Sequence, residues 1–276
     1  KVKHFSRHRK TSSNCLPLHQ QFRMDMPVVT VTSDWNKRDF YAGSLEGGLL
    51  GLASLYDITH QINPFDVRMG VFVLRQAYSR YPSGSIHILA VQAHATDQLP
   101  MSVASYDGHY FITVNDGRFS LLFDREPDWV RAVYTAPGPF SELDAYIKAV
   151  KAIVENRLED LTLPAVMKTE VRPSAVAQKD YIIGQVIYID SYGNAVTNIS
   201  RTLFEKVGAG RKFCIYLQGP YTKIEKISEG YSGVRPGELL ALFNSAGLLE
   251  LAVFLGNLSS LENIGLYDEI QIQFNK

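Results

Sequence analysis

Two cysteines in 276 residues, Cys15 and Cys214, cannot build a disulfide framework. That scarcity excludes the small stapled scaffolds of secreted proteins and points to a reducing, cytoplasmic setting. A long apolar run is missing too. The most apolar window, residues 239–258, is interrupted by Asn244-Ser245 and by Glu250, so it reads as strand, turn, strand, and no membrane association is expected. Nor does charge of one sign prevail, with 28 Lys and Arg against 28 Asp and Glu. The balance hides an asymmetry. Residues 1–26 hold six of the basic residues and one acidic residue, leaving 22 basic against 27 acidic beyond them. A mildly acidic body argues against a nucleic-acid partner. The basic 1–26 segment lacks the apolar core of a signal peptide and is expected to be a disordered extension. Gly43, Gly47, Gly48 and Gly51 are not followed by Gly-Lys-Ser/Thr, so they form no phosphate-binding loop and read as close-packing positions. No His, Cys and carboxylate spacing suggests a metal site.

What is present suffices for one large core or two modest ones, since 46% of residues are hydrophobic and 11% aromatic. Residues 28–32 form a β-branched run that ends at Ser33-Asp34. Ligands of open α/β sheets bind beyond the carboxyl ends of strands, which makes Asp34 a candidate site residue. A helix is expected over 41–54 and a strand over 55–58. Asn63-Pro64-Phe65-Asp66 reads as a helix start, with Asn63 as cap, Pro64 in the first turn and Asp66 facing the positive helix end. Strands follow at 85–92, 101–106 and 109–114, the last two joined at Asp107-Gly108, a hairpin signal. Further strands are expected at 119–123 and 131–135, then an amphipathic helix at 142–158. Beyond it, short strands separated by glycine turns predict a small barrel or sandwich, with a helix at 201–206 capped by Ser200. The expected organisation is therefore an extension (1–26), an α/β N-terminal domain with a central, mostly parallel sheet flanked by helices (27–165), a linker (166–180) and an all-β, barrel-like C-terminal domain (181–276).

The most informative stretch is Asp190-Ser191-Tyr192-Gly193-Asn194-Ala195-Val196-Thr197-Asn198-Ile199. An Ile, Val and Tyr-rich run feeds into it, and Gly193-Asn194 can turn the chain sharply. The turn leaves a carboxylate, an aromatic ring and a carboxamide together at a strand end. A carboxamide offers donor and acceptor side by side, which suits a purine edge.

Several motifs, in order, resemble one family. They are Thr32-Ser33-Asp34; Asp57-Ile58-Thr59-His60 with Pro64-Phe65-Asp66; Tyr81-Pro82-Ser83-Gly84; Asn115-Asp116-Gly117; the Asp190–Asn194 corner with Thr197-Asn198-Ile199; and Asn244-Ser245-Ala246-Gly247 with Leu249-Glu250. Together they cover residue 28 to the C-terminus and resemble the S-adenosyl-L-methionine (SAM) hydroxide adenosyltransferases, relatives of the SAM-dependent chlorinases and fluorinases. The resemblance implies an α/β domain followed by a β-barrel, a homotrimer with sites shared between neighbouring subunits, and substitution at the ribose C5′ of SAM. No cofactor besides SAM itself is implied. Carried over by position, Asp34 would bind the ribose hydroxyls and Phe65 would wall the pocket. Asp190 would hold the methionine ammonium, Tyr192 would stack on adenine, Asn194 would read its edge, and Ser245 would contact the methionine end. His60 and His87 read as local hydrogen-bonding residues.

The chain departs from the family at the water-activating residues. The hydrolases carry a Val-Asp-Pro-Gly-Val-Gly loop followed by an Arg. Here Val91-Gln92-Ala93-His94-Ala95-Thr96-Asp97-Gln98-Leu99-Pro100 stands in its place, with Ala93 where the Asp belongs and no Arg after it. Their Phe-His-Gly-Arg-Asp segment reads Phe140-Ser141-Glu142-Leu143-Asp144, without the His. The short hairpin at Asp107-Gly108 lacks the fluorinase insertion, so no halogenase is expected. Two functions remain open. One is a SAM hydrolase in which His94, Asp97 or Glu142 orients water; the other is a catalytically silent module that binds adenosine or SAM.

Overall fold

A computed structural model describes residues 26–134, 141–217 and 222–275. The basic extension up to residue 25, and Phe140 of the departed motif, lie outside the described residues. The chain clusters into two compact units. The first draws on Lys1–Gln61, Arg80–Val114 and Pro127–Val166, and the second on Ile62–Ser79, Asn115–Glu126 and Met167–Lys276.

The first unit is a mixed seven-stranded sheet. Its strands are β1 (Val28–Ser33), β2 (Ser54–Thr59), β3 (Ile86–Ala90), β4 (Met101–Tyr106), β5 (His109–Val114), β6 (Trp129–Val133) and β7 (Thr162–Pro164), in the order β2-β1-β3-β5-β4-β6-β7. The first four are parallel neighbours, while β4, β6 and β7 pair antiparallel. β3 is buried along its whole length, as a parallel strand covered on both faces must be, which is why it reads as an apolar run. Val29, Val31, Ile86 and Ile88 form a core with Leu45 and Leu49 of helix α1 (Phe40–Leu49). Ala145, Tyr146, Ala149 and Val150 complete it from a helix over Ser141–Val154. Of the α1 glycines, Gly48 answers to close packing. A Cβ there would lie 2.3 Å from Ile147 Cδ1, so the close approach is helix to helix. Asp107 and Gly108 take φ of 54° and 76°, the paired left-handed geometry of a two-residue hairpin.

The second unit begins with helix α2 (Val67–Ala77), which starts later than its sequence suggests. Phe65 sits in the left-handed region at φ 68°, so the helix cannot begin until Asp66, whose carboxylate accepts from the Met69 N–H at 2.9 Å. Helix α3 (Arg118–Leu122) occupies the stretch expected to be a strand at 119–123. Arg118, Phe119, Leu121 and Leu122 are buried while Ser120 is half-buried, and so short a stretch carries no periodicity to separate helix from strand. The helix over Ser141–Val154 in the first unit is α4, followed there by α5 (Leu158–Leu161).

The rest of the second unit is antiparallel and nearly closed. Its strands are β8 (Val176–Ala177), β9 (Tyr181–Ile189), β10 (Ala195–Ser200), β11 (Phe213–Tyr216), β12 (Lys223–Ile224), β13 (Leu239–Phe243), β14 (Leu248–Val253) and β15 (Glu269–Phe274). They run β12-β11-β15-β9-β10-β14-β13, with β8 on β9, and a bridge from Ile227 to Ala241 of β13 draws the two ends together. Ile182, Val186, Ile199, Ile215, Leu249, Leu251 and Ile272 fill the interior. Cys214 on β11 is buried and is the free cysteine among the described residues. Ser200 caps α6 (Arg201–Gly208) by accepting from the Leu203 N–H, and α7 (Leu258–Leu261) is capped by Asn257. Among the described residues no helix is long and apolar enough to cross a membrane.

Candidate functional site

Expected site residues gather at two corners, one in each unit. In the first unit, β1 ends at Ser33 and releases Asp34 at the carboxyl edge of the parallel strands. One Asp34 carboxylate oxygen accepts from the Gln92 N–H at 3.2 Å. Gln92 follows β3, the strand beside β1, and its φ of 44° turns the backbone amide toward that carboxylate. The same loop carries His94, whose Nδ1 lies 3.2 Å from Glu142 Oε1 at the start of α4. A carboxylate partner requires the proton on Nδ1, which leaves Nε2 as the acceptor. The His94 side chain is 80% exposed, so that acceptor reaches solvent. Asp97 does not join this pair. It is exposed at the tip of a turn closed by mutual backbone hydrogen bonds between Thr96 and Leu99. Two of the three candidate water-orienting residues therefore meet.

In the second unit, Asp190 builds its own corner. Its Oδ1 accepts from the Tyr192 and Asn194 N–H groups, each at 2.9 Å, and its Oδ2 accepts from Asn194 Nδ2 at 2.9 Å. Gly193 at φ 82° lies against Asn257, which would be 2.2 Å from an added Cβ. Tyr192 is exposed with its ring available for stacking, and Asn194 is buried. Ser245 is exposed on the turn between β13 and β14. Asn244 shapes that turn, its Oδ1 accepting from the Ala246 and Leu248 N–H groups while its Nδ2 donates to Glu250 at 3.0 Å. Glu250 is a buried carboxylate that also accepts from the Tyr231 hydroxyl. Burial, with that hydrogen bond and the Glu250 and Asp190 charges, pushes the Tyr231 phenol well up. Phe65 is 72% exposed at the start of the second unit.

Sequence reasoning named Asp34, Asp190, Asn194 and Ser245 but missed Gln92, Asn244, Glu250 and Tyr231 as their supports. The motif Asn244 to Glu250 held a signal, since a carboxylate inside an apolar strand needs buried donors. The His60 and His87 reading is met by geometry. His87 is buried, bonds Thr30 Oγ1 at 2.7 Å through Nδ1 and lies 3.1 Å from His109 Nδ1 through Nε2. Burial, with the neighbouring His109, lowers its pKa to about 3. A cavity of about 410 Å³ in the second unit is lined by Arg68, Phe72, Arg172, Asn198, Ala246 and Tyr267, and none of the named site residues lines it. Among the described residues no cluster of three His, Cys, Asp or Glu could hold a metal ion.

A mixed sheet with a carboxylate at its parallel-strand edge, and a nearly closed antiparallel unit with an Asp–Asn corner, define the class: an α/β domain joined to a β-barrel-like domain. Within that class the chain belongs to the SAM hydroxide adenosyltransferase family. The family's N-terminal domain matches residues 29–138 and its C-terminal domain residues 184–271. Relatives named (R)-S-adenosyl-L-methionine hydrolase include one from Methanocaldococcus jannaschii, 24% identical over 90% of this chain and 96% of its own. Another, from Thermus thermophilus, is 24% identical over 90% of this chain and 99% of its own. The fold matches the crystal structure of a conserved Thermotoga maritima protein with TM-score 0.79 at 23% identity, covering 89% of this chain and 99% of that one.

Proposed function

We propose that this protein binds SAM and hydrolyses it to adenosine and L-methionine. The observation that carries the reading is the loop from Gln92 to His94, which ties the Asp34 carboxylate to a His94–Glu142 pair within two residues. Asp34 accepts hydrogen bonds from the vicinal ribose hydroxyls. Water held at His94 Nε2 attacks C5′ in line with the sulfonium. The C5′–S bond breaks, its electron pair stays on sulfur as the methionine thioether, and the water proton passes to His94 and then to solvent. The sulfonium leaves without a general acid, so the chemistry asks for no cofactor.

The Asp190–Asn194 corner supplies the other contacts in this reading. Tyr192 stacks on adenine, Asn194 reads the purine edge, and Asp190 and Ser245 meet the methionine end. Phe65 walls the pocket, where an aromatic face attracts the sulfonium. The active form is a homotrimer whose sites combine residues of neighbouring copies, working in the reducing cytoplasm that the cysteine scarcity suggests.

The absence of the family's Asp, Arg and His at their usual positions favours a second reading, binding without turnover. One assay separates the two. SAM incubated with the protein should yield adenosine and methionine in equal amounts above the blank, and His94→Ala should lower the rate at least tenfold. Intact SAM, with adenosine still raising the melting temperature, establishes the silent module instead. Sedimentation giving any stoichiometry other than three would remove the trimer.

A further inference from the structure

A chain of side-chain contacts joins the carboxyl ends of β1 and β2, and the reaction above does not use it. Lys37 pairs with Asp57. Asp57 Oδ1 lies 3.0 Å from His60 Nε2, and His60 Nδ1 lies 2.6 Å from Ser33 Oγ. Ser33 Oγ accepts in turn from the Trp35 N–H at 3.3 Å, and the Asn36 N–H donates to the His60 carbonyl at 2.9 Å. The Trp35 ring lies parallel to the His60 imidazole, with centroids 6.4 Å apart at 15°. Asp34 is thus bracketed by two residues fastened to one histidine.

The protons along this chain have a defined order. Burial opposes ionisation of Asp57, but hydrogen bonds from Lys37 and His60 outweigh it and hold the carboxyl below its usual range. An ionised Asp57 only accepts, so His60 carries its proton on Nε2. Its Nδ1 then accepts the Ser33 hydroxyl proton, which leaves the Ser33 oxygen lone pairs to receive the Trp35 N–H. The order Asp57, His60, Ser33 superficially suggests a nucleophile. However, Ser33 is 0% exposed at the end of a central strand, where no substrate can reach it.

We propose that His60 is a positioning residue for Asp34, holding the turn from Ser33 to Asn36 so that the carboxylate meets a vicinal diol in one orientation. The inference rests on the reading of Asp34 as the ribose-binding group. Two accepting oxygens can serve two hydroxyls only if the carboxylate is fixed within about 0.5 Å, and a locked supporting shell provides that.

Two half-chain variants test it. His60→Asn places an amide oxygen near the Nδ1 position, keeping the acceptor for Ser33 and losing Asp57. His60→Gln reaches the Nε2 position, keeping the donor to Asp57 and losing the Ser33 acceptor. Calorimetry should show adenosine binding weakened at least tenfold in His60→Gln and Ser33→Ala, but under threefold in His60→Asn. Adenine, which lacks the ribose, should bind all of them alike. Without any ligand, hydrogen exchange of the Trp35 amide should quicken at least tenfold in His60→Gln and Ser33→Ala only. Equal losses of affinity in His60→Asn and His60→Gln, tracking a shared fall in Tm, would reduce His60 to packing and overturn the proposal. If the wild type binds no adenosine, the Asp34 reading fails, and unchanged Trp35 exchange in His60→Gln separately refutes the positioning role.

Discussion

The two corners solve the same problem, fixing a carboxylate at a strand end, in opposite ways. Asp190 is held by its own turn, with three of its hydrogen bonds coming from residues within four positions. Asp34 is held from outside, by a Gln92 amide 58 residues away, and the neighbouring Ser33 is bonded by His60, just past the end of β2. A carboxylate that builds its own turn carries fold stability. One held by its surroundings depends on the sheet, so losing it costs the fold little. The units differ in the same direction in their titratable groups. The described histidines, at positions 60, 87, 94 and 109, all belong to the first unit, while the second has none. The second unit relies instead on Arg–carboxylate pairs. Burial opposes ionisation of Asp116 and Asp124, but hydrogen bonds from Arg118, and from Arg172 and Arg75, hold both below the usual carboxylate range.

The comparison can be broken most severely at Asp190. Asp190→Ala removes three hydrogen bonds to a charged group and should cost about 3 kcal/mol of stability in urea unfolding; a loss under about 1 kcal/mol would show that the turn holds without it. Gly193→Ala comes next, at about 2 kcal/mol, because it adds left-handed strain and drives a Cβ into the Asn257 cap of α7. Acid then separates the units. Folded His87 takes a proton only near pH 3, whereas an unfolded histidine does so near 6.5. Between those values the unfolded state binds more protons, so stability falls as pH drops, by up to about 1.4 kcal/mol per pH unit for this one group. The depressed Asp116 and Asp124 carboxyls instead protect the second unit until the pH passes below the ordinary carboxylate range. Acid unfolding followed by hydrogen exchange should open the β1–β3 region first, and His87→Asn should flatten that limb. Simultaneous opening would erase the distinction. The smallest stability effect belongs to Asp34→Ala, about 1 kcal/mol for the loss of the Gln92 hydrogen bond, alongside a loss of adenosine affinity of more than tenfold.

Much of this was legible in the chain itself. The β4–β5 hairpin announces itself through Asp107-Gly108, and the short strands separated by glycine turns form the expected barrel-like unit. The helix at 118–122 was not legible, because its five residues, four of them buried, are too few to display a repeating pattern. The late start of α2 was hidden for a related reason. Asn63 and Asp66 are both capping residues, and only the backbone at Phe65 selects between them. At the candidate site, single residues were named from motifs, but their hydrogen-bond partners were not. The contact of His94 with Glu142 spans 48 positions, and that of Ser33 with His60 spans 27. Such pairings arise from sheet order, which local spacing does not encode.

The buried thiol of Cys214 has a practical consequence. It lies inside the β11–β15 seam at 7% exposure, with hydrogen-bonded strands on both sides of its own. In a Cys15→Ser background, an alkylating reagent would label it only when that seam parts, so the labelling rate becomes a clock for barrel breathing. Slowing of that clock by adenosine would register ligand engagement of the second unit with no added probe.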